Sequence, residues 1–190
     1  MFTALLDANV LVPVSLTDTL LRCAEKGLYL PRWSKTILDE CMRAILRVHP
    51  QITVNRLQAR FSAMEQRFPD ARVQGFEPLI SSISLPDPDD RHVVAAAWLG
   101  NVDVIVTRNI EDFPKLTLQN WGLEVVSPDC FLRDMLDLYP DQVMTVMSEQ
   151  SRDTRRPPRS LSDILVSLER AGVPGFVADV RGKESLSFGR

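Results

Sequence analysis

The stretch Thr3-Ala4-Leu5-Leu6-Asp7-Ala8-Asn9-Val10-Leu11 decides how this chain is read. A short apolar run ends in a carboxylate, and an amide follows two residues later. An apolar run without polar alternation suits a strand buried on both faces. Such strands belong mostly to α/β folds, whose functional sites lie off the carboxyl ends of the strands. Asp7 stands at such an end, so the remaining question is which other groups gather around it.

The pattern beyond Asp7 alternates helix and strand. Residues 10–26 carry apolar Leu16, Leu20, Leu21 and Ala24 at helical spacing, and Gly27 is the expected stop. Leu28-Tyr29-Leu30 reads as a short strand ended by Pro31. Ser34 is an N-cap for a helix to about His49, and a third helix is expected over 53–68. Residues 72–76 form a weak strand. Asp87-Pro88 opens a helix to Gly100, with Asp87 as cap and Pro88 at the first helical position. Val102–Val106 is a buried strand, 107–114 a loop, and 123–126 a last strand. Ser127-Pro128 begins another helix. This alternation predicts a three-layer α/β fold with a central, mainly parallel sheet flanked by helices.

Beyond Tyr139-Pro140 no strand pattern remains. Helices are expected over 141–150, 160–171 and 173–181, with a frayed tail after Gly182. The expected organisation is therefore a main domain over 1–139 and a small C-terminal helical extension over 140–190, too short for a core of its own.

The bulk composition narrows the function classes. With 190 residues, 45% hydrophobic and 25% charged, the chain is expected to build one substantial core. A formal net charge of −3 argues against a strongly basic nucleic-acid-coating surface. It leaves room for a nucleic-acid enzyme, because a cluster of catalytic acids lowers the total by itself. The 3 cysteines are odd in number and widely spaced, which fits a reducing cytoplasm without a disulfide framework. No signal-peptide pattern stands at the start and no apolar run is long enough to cross a membrane. A cytoplasmic location is expected.

Four acids stand out by position: Asp7 at the end of the first strand, Glu40 one turn into a helix, Asp90 in the first turn of the Asp87-capped helix, and Asp112 after the 102–106 strand. Each has a plain structural alternative. Asp7 and Asp112 are also good turn formers. Glu40 could pair with Arg43 and Arg47 on a solvated helix face. Asp90 suits a helix N-terminus, where the dipole favours acids. Asn9 and Thr107 are equally good turn and strand-end residues. Yet Asp90 is in line with Val93, Val94 and Ala97, and Glu40 lies nearer the apolar margin than Asp39. If the strands at 3–7 and 102–106 are neighbours, Asp7, Thr107, Asn109 and Asp112 converge. Converging carboxylates repel, and a cation relieves the repulsion. With no Cys/His spacing for zinc, an all-oxygen set points to Mg²⁺ or Mn²⁺ and to phosphoryl chemistry.

The segments Leu5–Leu11, Leu85–Ala97 and Val106–Phe113 together resemble the signature segments of PIN-domain ribonucleases, and among them the VapC-type toxins of bacterial toxin–antitoxin modules. The resemblance implies a parallel sheet with the first strand central. It implies a Mg²⁺- or Mn²⁺-dependent endoribonuclease that cuts structured RNA such as tRNA or rRNA by metal-activated water. It also implies a cognate antitoxin and a homodimer. By motif position Asp7, Glu40, Asp90 and Asp112 form the acidic quartet, with Asp7, Asp90 and Asp112 as metal ligands and Asn9, Thr107 and Asn109 as supporting polar residues. Asn109 stands where many members carry an acid, so the fourth acid is then Asp112, and whether Asp112 or Asn109 fills the fourth metal-site position stays open. The region after residue 140 resembles a C-terminal extension found in some of these toxins.

The basic residues Arg32, Lys35, Arg43, Arg47, Arg91 and Arg108 are candidates for an RNA-contacting rim. His92 reads as a surface or helix-flank residue beside Arg91, with substrate orientation or acid catalysis as the alternative. Arg152, Arg155, Arg156 and Arg159 form the densest basic cluster and read as a solvated linker, or else as a contact for RNA or an acidic partner. The competing readings of the whole chain are an RNA-processing nuclease outside a toxin pair and a noncatalytic RNA- or protein-binding module.

Overall fold

Strand β1 (Thr3–Leu6) has no exposed surface at Ala4, Leu5 or Leu6, as expected for a strand covered on both faces. The computed structural model to which it belongs describes residues 2–154 and 158–187, the side chains of 186 and 187 excepted. Four further strands follow: β2 (Leu30–Ser34), β3 (Arg72–Val73), β4 (Val104–Val106) and β5 (Glu124–Val126). They form one sheet of order β3-β2-β1-β4-β5 with every pairing parallel. The helices, in chain order, are α1 (Ala8–Leu11), α2 (Val14–Glu25), α3 (Lys35–Val48), α4 (Val54–Arg67), α5 (Arg91–Leu99), α6 (Lys115–Gln119), α7 (Pro128–Leu138), α8 (Pro140–Asp153), α9 (Leu161–Arg170) and α10 (Pro174–Ser187). This is the expected α/β class, with β1 at the centre of the sheet.

The strand expected at 28–30 is shifted: β2 begins at Leu30 and runs through Pro31. Alternate residues of a parallel strand bond to opposite neighbours. Leu30 N–H donates to Phe2 O on the β1 side, and Trp33 N–H donates to Ala71 O on the β3 side. The donor that Pro31 lacks therefore faces the β3 side, where β3 pairs only Trp33 and Ser34. Proline is tolerated because no strand stands opposite it. The buried Trp33 then fills the space beneath the sheet and meets Phe68 edge-on at 6.0 Å between ring centroids.

The helix expected from Asp87 is also modified. Asp87 caps a 3₁₀ turn, Pro88–Asp90, by accepting from Asp89 N–H, and α5 starts only at Arg91. Two more 3₁₀ turns, Glu77–Ser82 and Ile110–Asp112, occupy segments that carry no long periodic pattern. The tail expected to fray after Gly182 is helical to Ser187.

Contacts divide the chain into two compact units. The first is Met1–Val12 with Tyr29–Val126; the second is Pro13–Leu28 with Ser127–Arg190. The first holds the sheet with α1 and α3–α6. The second is helical, made of α2 and α7–α10, and the boundary expected at 139/140 falls inside it. Its core draws on both of its segments: Leu16 and Leu20 come from α2, and Phe131, Met147, Leu165 and Phe176 from the later helices. A buried polar tie also links the two segments. Thr19 Oγ1 donates to Gln150 Oε1 at 2.9 Å, and Gln150 Nε2 donates to Ser15 O at 3.0 Å. Of the basic cluster, Arg155 and Arg156 lie outside the described residues. Arg152 is exposed, whereas Arg159 is drawn inward, donating to Ser15 Oγ, Asp163 O and Ser167 Oγ. Among the described residues, no helix is long and apolar enough to cross a membrane.

Leu5 sits fully enclosed in the central strand. Leu5→Ala is therefore expected to lower unfolding stability by about 2–5 kcal/mol in urea denaturation followed by circular dichroism.

Candidate functional site

The register of the sheet builds the centre of the site. Leu6 of β1 pairs with Val106 of β4, so the next residues, Asp7 and Thr107, leave adjacent strands side by side. The Asp7 amide donates to Val106 O at 3.1 Å and extends the ladder by one step. Asp7 then caps α1, its Oδ1 accepting from Ala8 N–H at 2.6 Å. Its Oδ2 accepts from the Thr107 hydroxyl at 2.7 Å and from Asn9 Nδ2 at 2.7 Å. The Thr107 oxygen in turn accepts from Asn9 Nδ2 at 2.9 Å and from Asn109 N–H at 3.1 Å. Arg108 N–H donates to Asn9 Oδ1 at 3.0 Å. Asn9 thus bridges the two strand ends, and every donor in the network is aimed at Asp7 or at the groups that hold it.

Two helices supply the flanking acids. Ser34 caps α3 by accepting from Ile37 N–H, which fixes the start of the helix carrying Glu40. On α3, Asp39 turns outward to an ion pair with Lys35, whereas Glu40 Oε1 lies 3.0 Å from His92 Nε2. Arg43 stands further off, with Nη2 3.9 Å from the same oxygen. This corrects the reading of His92 as a surface or helix-flank residue. It is 7% exposed on α5 and hydrogen-bonded across to α3. The periodicity of α5 that turns Val93, Val94 and Ala97 inward leaves residue 92 facing a neighbouring helix rather than solvent. Its only signal in the sequence was its position two residues after Asp90.

Charge shows how far the acids converge. Burial pushes the Asp7 carboxyl above its ordinary value, and Glu40 pushes the same way; the hydrogen bonds from Thr107 and Ala8, and His92, pull it down. Asp90 is pushed up to about 6, first by burial and then by Asp7, Asp87 and Asp112, while His92 opposes the shift. Asp7 and Asp112 are therefore each within electrostatic reach of Asp90. Asp87, read from the sequence only as a cap, adds to the same negative field. Among the described residues, no group of three or more His, Cys, Asp or Glu side chains is gathered so as to hold a metal ion by itself.

The remaining candidates sort by exposure. Asp112 is half-buried in the 3₁₀ turn after β4, and Asn109 is exposed. Arg43, Arg47, Arg108 and Lys35 are exposed; Arg32 and Arg91 are half-buried, and Arg91 Nε is a buried donor with no hydrogen-bond partner. A cleft of about 430 Å³ opens beside Glu40 and His92, lined also by Thr36, Arg43, Phe76, Glu77, Ile80, Pro88 and Asp89. A cleft of about 410 Å³ beside Trp98 and Trp121 has no titratable side chain in its lining and lies at the approach to β4 and β5, away from their carboxyl ends. Of these two clefts the first reaches candidate residues, Glu40 and Arg43. The thiols of Cys23 and Cys41 are buried, which pushes them up to about 12 and about 11, and they are inert at neutral pH.

With fold and geometry in place, the class is defined. Residues 3–111, more than half of the chain, match the family model described as PIN domain, and the chain belongs to that family. Residues 128–182 match a second model, described as VapC50 C-terminal domain. Over 110 residues the chain is 36% identical to a protein of Mycobacterium tuberculosis (strain ATCC 25618 / H37Rv) named "Putative ribonuclease VapC50". The matched stretch covers 56% of this chain and 62% of that relative, so the chain spans less than two thirds of the relative's length. No solved structure matches.

Two outcomes follow from the site. The folded Asp90 carboxyl titrates near 6 against an ordinary value of 3.8, so the native state keeps a proton that the unfolded chain has lost between those values. Its ionisation lowers stability as pH rises from about 4 to about 6. Asp90→Asn is expected to reduce the stability difference between pH 4 and pH 7, measured by urea unfolding at both. Thr107→Val keeps the shape of the side chain but removes the hydroxyl that joins Asp7 and Asn9. It is expected to cost about 1–3 kcal/mol and to raise the Asp7 titration further, read by carboxyl ¹³C NMR.

Proposed function

We propose that the chain is a metal-dependent endoribonuclease of the VapC type, the toxin of a toxin–antitoxin pair, that cleaves a structured RNA such as tRNA or rRNA. The observation that supports the reading is the Asp7 carboxylate at the carboxyl end of β1, hydrogen-bonded to Thr107 at the end of β4 in a PIN fold, with Glu40 acting electrostatically on Asp7 and with Asp7 and Asp112 acting on Asp90. The relative named as a ribonuclease supports the same reading.

The donor chemistry suits Mg²⁺ or Mn²⁺. All the candidate ligands are carboxylate oxygens, and Asp90 carries an unfavourable negative charge that a cation would relieve. Mg²⁺ takes one or two carboxylates and keeps several waters, so an open set without three converging side chains remains compatible with it. Asp7 and Asp90 would hold it, with Asp112 acting at longer range. When bound, such an ion offsets phosphate charge and activates water for phosphodiester hydrolysis.

The chain's own residues prepare this site. Thr107, Asn9 and Ala8 hold Asp7 in one orientation. The exposed cations Arg43, Arg47 and Arg108 suit contacts to RNA phosphates around the acids, and the Arg108 backbone is fixed by Asn9. Half-buried Arg91 belongs to the same rim. A cognate antitoxin and a homodimer complete the proposal.

The test is cleavage of labelled RNA by the purified full chain, with the new ends sequenced. Asp7→Asn and Asp90→Asn are expected to lower cleavage by about 100-fold or more, the scale on which loss of one charge-stabilising group acts. Chelation with EDTA should abolish it, and added Mg²⁺ or Mn²⁺ should restore it. RNA binding without cleavage would favour the noncatalytic module. Cleavage that persists in EDTA would overturn the metal mechanism, and expression without growth arrest would remove the toxin assignment.

A further inference from the structure

We propose that His92 is a positioning residue that holds the Glu40 carboxylate toward the acid cluster. The inference rests on the nuclease reading, in which Glu40 is one of the working acids. His92 Nε2 lies 3.0 Å from Glu40 Oε1, joining residues 52 apart in sequence on α3 and α5. An ionised carboxylate only accepts hydrogen bonds, so Nε2 carries the hydrogen. The other ring nitrogen, Nδ1, is buried without a partner, so the ring makes this one hydrogen bond. The alternative holder, Arg43, is 3.9 Å away with a side chain 66% exposed, where an ion pair is weak.

The geometry gives this bond a consequence for the site. The Glu40 side chain is 30% exposed, and a glutamate without a partner samples several rotamers. Glu40 also bears on Asp7, whose carboxyl it pushes up, so the direction it points alters the field at the strand end. His92 is anchored where the next five residues, Val93 to Ala97, have no exposed surface. Asp90 stands two residues before it, at the N-cap of the same helix. One helix start therefore fixes Asp90 directly and Glu40 through a hydrogen bond. Groups that orient a working carboxylate in this way typically alter activity by about 10–100-fold when removed.

The test combines three readouts on the full chain. Glutamine places an amide N–H near the reach of Nε2, whereas leucine fills the volume without a donor. His92→Leu is expected to lower kcat for RNA cleavage by about 10–100-fold with KM little changed, and His92→Gln to recover most of the loss. In a Glu40→Gln background, His92→Leu should add little, because the two residues act as one unit. Imidazole ¹⁵N NMR gives a reading independent of activity: the hydrogen on His92 Nε2 should be exchange-protected in wild type and lose that protection in Glu40→Ala. Equal losses for His92→Leu and His92→Gln, additivity with Glu40→Gln, or Nε2 protection unchanged in Glu40→Ala would each overturn the proposal. Absence of cleavage by wild type would overturn the nuclease reading instead, and the NMR result would still decide whether His92 holds Glu40.

Discussion

The hydrogen bond from the Thr107 hydroxyl to Asp7 Oδ2 joins the two strand ends on which the site depends. It exists because β1 and β4 are adjacent, parallel and in register through Leu6 and Val106. A slip of one residue would turn each side chain to the opposite face and separate the pair. Asn9 completes the arrangement by donating to both groups, and its carbonyl holds the backbone of Arg108. A buried carboxylate without such donors would be expelled or protonated. With them it stays at the strand end, although burial still raises its affinity for a proton.

Around this centre the structure concentrates negative charge. Asp90 shows the result most clearly, with Asp7, Asp87 and Asp112 all disfavouring its ionisation. Acids so arranged destabilise the folded chain unless something positive balances them, and local strain of this kind is common where a fold serves a function. The Glu40–His92 hydrogen bond gives the cluster a second fixed side. Asp39, one residue earlier on α3, turns away to Lys35. A single turn of helix therefore carries one carboxylate paired with a surface lysine and one hydrogen-bonded to a buried histidine.

The helical unit follows a different logic. The last 51 residues read alone as too short for a core, and α7 and α2 supply what is lacking. Leu16 and Leu20 enter from a segment that in sequence lies between β1 and β2, and Thr19 meets Gln150 across 131 residues of chain. Periodicity located α2 as a helix, but periodicity cannot say which other helices it joins.

The sequence by itself determined the local features. The unbroken apolar run of β1 announced a strand covered on both faces. Ser34, Asp87 and Ser127 announced helix or turn starts, and each accepts the expected backbone hydrogen bond. The positions of Asp7, Asp90 and Asp112 made them candidates because each follows a strand end or opens a helix, and Asp7 and Asp112 both act electrostatically on Asp90 in the fold. These are short-range effects of side-chain shape and capping. Tertiary structure decided the rest. Pro31 lies within β2 because its missing donor faces a gap left by a short neighbour. His92 is buried because α5 presents it to α3, and the helical unit draws α2 from far up the chain. Each of these depends on a partner distant in sequence, and only the folded chain brings that partner near.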